Sequence, residues 1–199
     1  MSIGFLGTGA IGGAVAGLLA RSGATDIVVS NSRGAASIKP LADQLGPSVT
    51  AGDASQAAAC DIVFLSVPWS RVPSALANGT DWAGKILVDT TNPLEAPTFR
   101  KADLGGKTSS EVVSSHAPGA AVVKAFNHLQ PTAYDTGPTV AGGRRLLFVS
   151  GDDTSAKQTL LDLIAKTGFI GINLGPLATG GALHEFPGGV LPARNFIEI

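Results

Sequence analysis

Residues 3–20 read IGFLGTGAIGGAVAGLLA, eighteen positions without a charge and with Thr8 as the one polar side chain. The run is as long as a membrane-spanning helix, but six of its residues are glycines, each costing about 1 kcal/mol against alanine inside a helix. Only Met1 and Ser2 precede it, without the positive charge that opens a secretory signal. Divided at its glycines, the stretch becomes a short apolar strand over Ile3–Leu6, a tight turn, and a helix from about Ala10 to Arg21 with Val15, Leu18 and Leu19 inward. This reading predicts a soluble, cytoplasmic chain with no membrane partner, in which the glycines hold a ligand.

Between strand and helix stand Gly7-Thr8-Gly9-Ala10-Ile11-Gly12, a G-x-G-x-x-G pattern. Gly7 allows the sharp turn, Gly9 lets the backbone approach a diphosphate, and Gly12 lets the helix pack close to the strand. The helix start then presents unpaired N–H groups to the anion. In a chain with 26 glycines such a turn also arises without a ligand, so its position matters. The pattern follows a first strand, and a second strand over Asp26–Ser30 comes at the distance a βαβ unit requires. Dinucleotide binding is the expectation.

The end of that second strand selects the dinucleotide. It reads Ile27-Val28-Val29-Ser30-Asn31-Ser32-Arg33-Gly34, with no carboxylate to bond the adenosine ribose of NAD. A hydroxyl and a guanidinium suit the 2′-phosphate of NADP instead, and Ser32 and Arg33 lie twenty and twenty-one residues past Gly12. The competing reading makes Arg33 a solvated helix-start residue.

The remaining chain alternates as a doubly wound, mainly parallel α/β fold does. A helix from about Ala35 to Leu45 precedes a short strand near Val49. Asp61–Val67, Lys85–Asp89 and Ala121–Phe126 are apolar runs of the kind covered on both faces. A helix near Ser109 to Ser115, a strand over Leu146–Val149, a helix from Thr154 to Lys166 and a strand over Phe169–Asn173 follow. With 199 residues and 44% apolar content, a single domain over residues 1–199 is expected, its last stretch from about residue 175 forming a short C-terminal extension. The net charge of −1 argues against nucleic acid as a partner. Cys60, the lone cysteine, has no disulfide partner and reads as a buried residue in a reducing compartment.

In such sheets ligands bind beyond the carboxyl ends of the strands. That singles out Ser66, Val67, Pro68 and Trp69 on the adenosine side, and Thr91 and Asn92 toward the nicotinamide ribose or amide. Asn127, which both donates and accepts, suits a carboxamide, although Asn92 and Asn127 also read as turn formers. His128 and His184 read either as packed histidines or as proton donors, and His116 as a loop residue. Their spacing offers no metal site.

Taken in order, GFLGTGAIGGAVA, VVSNSRG, DIVFLSVPW, ILVDTTNPL, VVKAFN and FVSGDD resemble the NADPH-dependent F-420 reductase family, from Ile3 to about Phe196. They are also similar to the reductase domain of the six-transmembrane metalloreductases. The resemblance implies a Rossmann domain that passes hydride between NADP and a deazaflavin, or reduces a flavin. It implies Thr8, Ala10 and Ile11 near the diphosphate, Ser32 and Arg33 on the 2′-phosphate, and Ala125, Phe126 and Asn127 beside the nicotinamide. Asn31 stands where relatives often have glycine, and His128 where metalloreductases often have threonine. The tail from Gly180 to Pro192 resembles a closing segment that forms part of the acceptor pocket; Arg144, Arg145 and Arg194 read either as ordinary solvated charges or as cations for an anionic coenzyme tail. A homodimer is expected to complete that pocket. Two other readings stand beside this one: a non-catalytic NADP(H)-sensing module, and a reductase of quinones or metal chelates. A hydroxyacid dehydrogenase or pyrroline-carboxylate reductase is not expected, since a helical substrate domain would have to follow the sheet.

Overall fold

The computed structural model describes residues 1–77, 79–95 and 97–199. Its strands are β1 (Ile3–Leu6), β2 (Ile27–Ser30), β3 (Val49–Ala51), β4 (Ile62–Leu65), β5 (Ile86–Asp89), β6 (Leu94–Glu95), β7 (Arg100–Lys101), β8 (Ala121–Lys124), β9 (Thr139–Val140), β10 (Gly143–Gly151), β11 (Ile170–Asn173) and β12 (Ile197–Glu198). The helices are α1 (Ala10–Arg21), α2 (Ala35–Leu45), α3 (Ala54–Ala58), α4 (Val72–Leu76), α5 (Ser109–His116), α6 (Pro131–Thr136), α7 (Thr154–Lys166) and α8 (Ala182–His184).

The main sheet runs β11-β10-β8-β5-β4-β1-β2-β3. From β3 to β8 every neighbouring pair is parallel, with β1 in register between β2 (Ile3 beside Ile27) and β4 (Ile3 beside Ile62). The chain order therefore reverses at β1, and the rim above β1 is the switch point at which ligands of such folds bind. Alternation along β1 serves both layers: Phe5 packs into one apolar cluster with Val15, Leu19 and Val29, and Leu6 into the other with Val63, Leu65 and Leu87. In the first cluster Phe5 stacks on Phe64 at 4.6 Å between centroids, and Phe126 meets Phe64 edge-on at 5.7 Å.

The expected α1, α2 and α7 have the predicted limits. The expected strand over Leu146–Val149 is the middle of a nine-residue β10 that runs antiparallel to β8. Only Ser150 and Gly151 pair with β8, opposite Lys124 and Val123, so the rest of β10 continues past the end of β8, where Leu146–Val149 pair with β11 and Gly143–Arg145 with β9 and β12. His116 is the last residue of α5 rather than a loop residue. Cys60 is buried, and burial raises its thiol pKa.

Candidate cofactor site

The G-x-G-x-x-G loop leaves β1 at Gly7, whose φ of +93° is the left-handed turn that glycine takes without strain. A Cβ on Gly7 would also lie 2.4 Å from the Ser66 carbonyl oxygen. Gly12, in the first turn of α1, sits against Gly7, where a Cβ would meet the Gly7 carbonyl oxygen at 2.4 Å. Gly9 differs: a Cβ there would meet nothing within 4 Å. It is the N-cap of α1 and no side chain caps that helix, so the amides of the first turn keep the unpaired donors of a helix start. Ala10 and Ile11 supply two of them.

Gly7 and Gly9 border a cleft of about 680 Å³, whose lining does not include Ala10, Ile11 or Gly12. Gly7, Thr8 and Gly9 form its floor, Asn31, Ser32 and Arg33 one wall, and Ser66, Val67 and Pro68 the other. Asn31 explains its departure from glycine: its Oδ1 accepts the Arg33 amide at 2.8 Å and the Ser37 hydroxyl at 3.0 Å, a local turn that sets Arg33 at the mouth of α2. The Asn31 Nδ2 is buried without a hydrogen-bond partner among the described residues. Ile38, Ala54, Arg71, Ser74 and Ala75 also line the cleft and were missed from the sequence. No carboxylate lines it among the described residues. An orphan amide donor, open space above Gly9 and guanidinium without carboxylate fit a phosphorylated dinucleotide.

Thr91, Ala125, Phe126 and Asn127 are buried and lie outside this cleft, and Asn92 is half-buried outside it. The structure brings them together at the ends of β5 and β8. Asn127 Nδ2 donates to Asn92 Oδ1 at 3.0 Å and to the His184 carbonyl at 2.5 Å, while Asn92 Nδ2 donates to the Asn127 carbonyl at 2.9 Å. The Phe186 amide donates to Asn92 Oδ1 at 3.0 Å, fastening the C-terminal segment to the pair. Asn127 Oδ1 is left buried without a partner among the described residues. Phe126 has φ +59°, a turn that swings the chain off β8, and its carbonyl accepts the buried Tyr134 hydroxyl at 2.8 Å.

Beneath this pair is a polar cluster. The fully buried Lys124 and Asp89 face each other at 3.3 Å, and Lys124 Nζ also donates to the Thr91 carbonyl at 3.1 Å and to Ser109 at 3.0 Å. Asp89 accepts from the Thr91 amide and hydroxyl and from the Ser110 hydroxyl. Glu185 accepts the Ser109 amide and pairs with Lys101 at 2.8 Å. Burial works to raise the Glu185 carboxyl, yet the Lys101 and Ser109 bonds hold it below the usual carboxylate value. The charges that close the apolar runs ILVD and AVVK were the available signal for this cluster.

His128 and His184 are packed side chains. Among the described residues neither ring nitrogen of His128 makes a well-formed hydrogen bond, and burial pushes its pKa down to about 4, opposed only partly by a marginal contact with the Leu146 backbone. His184 Nε2 lies 2.9 Å from the Ser150 hydroxyl, and its Nδ1 has no partner among the described residues. Burial, then the positive charge of Lys124, holds it well below the ordinary histidine value. Arg145 is not a free cation for an anionic tail, because it is buried and its guanidinium donates to the Gly137 carbonyl. Arg144 is engaged by Glu198 at 3.5 Å.

A parallel sheet wound both ways around a glycine-turned first helix defines a dinucleotide-binding domain of Rossmann type. Residues 2–93 match the model of the NADP oxidoreductase family dependent on coenzyme F420. A hypothetical protein from Sinorhizobium meliloti is 37% identical with a TM-score of 0.93, over 100% of this chain and 97% of that one. A candidate F420-dependent NADP-reductase from Arthrobacter sp. FB24 is 30% identical with a TM-score of 0.76, over 89% of this chain and 86% of that one. The chain belongs to the coenzyme F420-dependent NADP oxidoreductase family, whose members are NADP-dependent oxidoreductases. Metalloreductase STEAP3 of Rattus norvegicus is 30% identical over 133 residues, which are 67% of this chain and 26% of the relative. The chain thus spans about a fifth to a quarter of the length of the curated relatives it matches. No helix among the described residues is long and apolar enough to cross a membrane.

Proposed function

We propose that this chain binds NADP(H) along the carboxyl rim of its sheet and serves hydride transfer to a ring acceptor, a deazaflavin of the F420 kind or a flavin. The observation that carries the reading is the cleft itself: Gly9 at the uncapped start of α1, Asn31 with its orphan amide and Arg33 line it together, and no carboxylate does so among the described residues. Gly7, Thr8, Gly9, Ala10 and Ile11 would hold the diphosphate, Ser32 and Arg33 the 2′-phosphate, and Ser66, Val67 and Pro68 the adenosine side. At the other end Asn127 Oδ1 would accept from the carboxamide, with Thr91, Asn92, Ala125 and Phe126 shaping that end. The nicotinamide supplies the hydride when bound, so the protein's work is orientation and exclusion of water. The exposed Leu183, Phe186 and Val190 lie on the segment fastened to Asn92, an apolar border suited to a flat ring or to a second copy of the chain.

Calorimetry with NADPH and NADH, followed by anaerobic stopped-flow against deazaflavin, FMN, FAD and quinone acceptors, tests the reading. Tight NADPH binding with rapid oxidation by a deazaflavin or flavin is expected. Binding without turnover of any ring would make the chain a sensor, and no heat at millimolar NADPH would end the reading.

A further inference from the structure

We propose that Arg71 is a second guanidinium for the 2′-phosphate, so that NADP(H) is selected from both walls of the cleft. This rests on the reading that the cleft takes NADP(H). Arg33 and Arg71 rise from loops on opposite sides of the glycine loop, after β2 and β4, the two strands that flank β1. Both line the same cleft. The backbone of Arg71 is fixed at the junction of a single helical turn (Trp69–Arg71) and α4: its amide donates to the Pro68 carbonyl at 2.8 Å and its carbonyl accepts the Ser74 hydroxyl at 3.0 Å. Its guanidinium is exposed and, like that of Arg33, makes no ion pair or hydrogen bond among the described residues.

Charge decides what such a pair is for. The diphosphate is met by backbone amides at the start of α1, which need no arginine. Two unopposed cations remain in a cleft that no carboxylate lines among the described residues; Asp53, next in sequence to the lining residue Ala54, is occupied in capping its own helix through Gln56 and Ser55. A phosphate monoester carries about −1.5 to −2 charges at neutral pH, so a single guanidinium leaves it half compensated. Two guanidiniums match it, each with planar donors suited to phosphate oxygens.

The test is titration of wild-type and Arg71→Met protein with NADPH, NADH and 2′,5′-ADP by calorimetry. Arg71→Met is expected to weaken NADPH and 2′,5′-ADP about tenfold or more and to leave NADH unchanged. Arg71→Lys should recover part of the loss. In the Arg33→Ala/Arg71→Met double variant the preference for NADPH over NADH should vanish. Equal loss for NADH would place Arg71 on the adenine ring, and no loss for any ligand would leave it a solvated side chain; either overturns the inference. If wild-type protein binds no NADPH, the reading of the cleft fails instead, before Arg71 is tested. Unchanged thermal melting of the exposed Arg71 variant separates a binding effect from misfolding.

Discussion

Gly9 and Gly12 stand three residues apart in one motif and are held by different constraints. A methyl group on Gly12 would drive into the Gly7 carbonyl, a backbone atom that cannot move aside, whereas one on Gly9 would point into open space. Gly9→Ala is therefore expected to melt like wild type while losing at least tenfold in NADPH affinity. Gly12→Ala is expected to lose stability by about 1–3 kcal/mol, the usual cost of overpacking, and to lose binding with it. Thermal melts beside calorimetry separate the two, and a destabilised Gly9→Ala would contradict the assignment. At Arg33, replacement by alanine should remove about 1.5–3 kcal/mol of NADPH binding, a weakening of roughly ten- to hundred-fold, with NADH binding unchanged. Equal weakening of both would refute a 2′-phosphate contact. These residues were legible because glycine spacing and a missing carboxylate are visible in a string of letters. Arg71 was not, since its neighbours in the cleft come from β2 and the glycine loop.

The strands that end in charges make their argument as elements. β5 closes on Asp89 and β8 on Lys124, and the two meet with no exposure to water, satisfied by Thr91, Ser109 and Ser110. Breaking a buried pair from one side leaves the other charge uncompensated, at a cost of about 3–5 kcal/mol. Lys124→Met should therefore lower the unfolding free energy by that order in urea titrations. A loss under about 1 kcal/mol would show that hydroxyls alone satisfy Asp89. Long elements were legible in the sequence: α1, α2 and α7 carry their apolar stripe for three turns or more, and the parallel strands are unbroken apolar runs. The short helices α3, α4 and α6 were not, because one to two turns give periodicity too little length to register. The direction of β10 was invisible for another reason. An apolar run does not record which way its neighbour runs.

For the molecule as a whole, two buried histidines tie stability to pH. His128, and His184 with it, are held neutral in the fold, while unfolded histidine titrates near 6.5. Below that pH the unfolded chain binds protons that the folded chain refuses, so stability is complete above about pH 6.5 and is lost as pH falls toward about 4. Each histidine contributes a slope of at most about 1.4 kcal/mol per pH unit in that window. Urea midpoints should drop between pH 7 and pH 5, and His128→Phe, which keeps the ring against Phe148, should shrink the drop. An unaltered drop would show that His128 is not the group responsible. The reversed β10 sets where that ring lies. By sliding past the last hydrogen bond to β8, it carries Phe148 above the edge at which the forward strands stop. A sheet wound forward from its first strand thereby erects its own parapet, the backward β10 standing above the rim where the forward strands end.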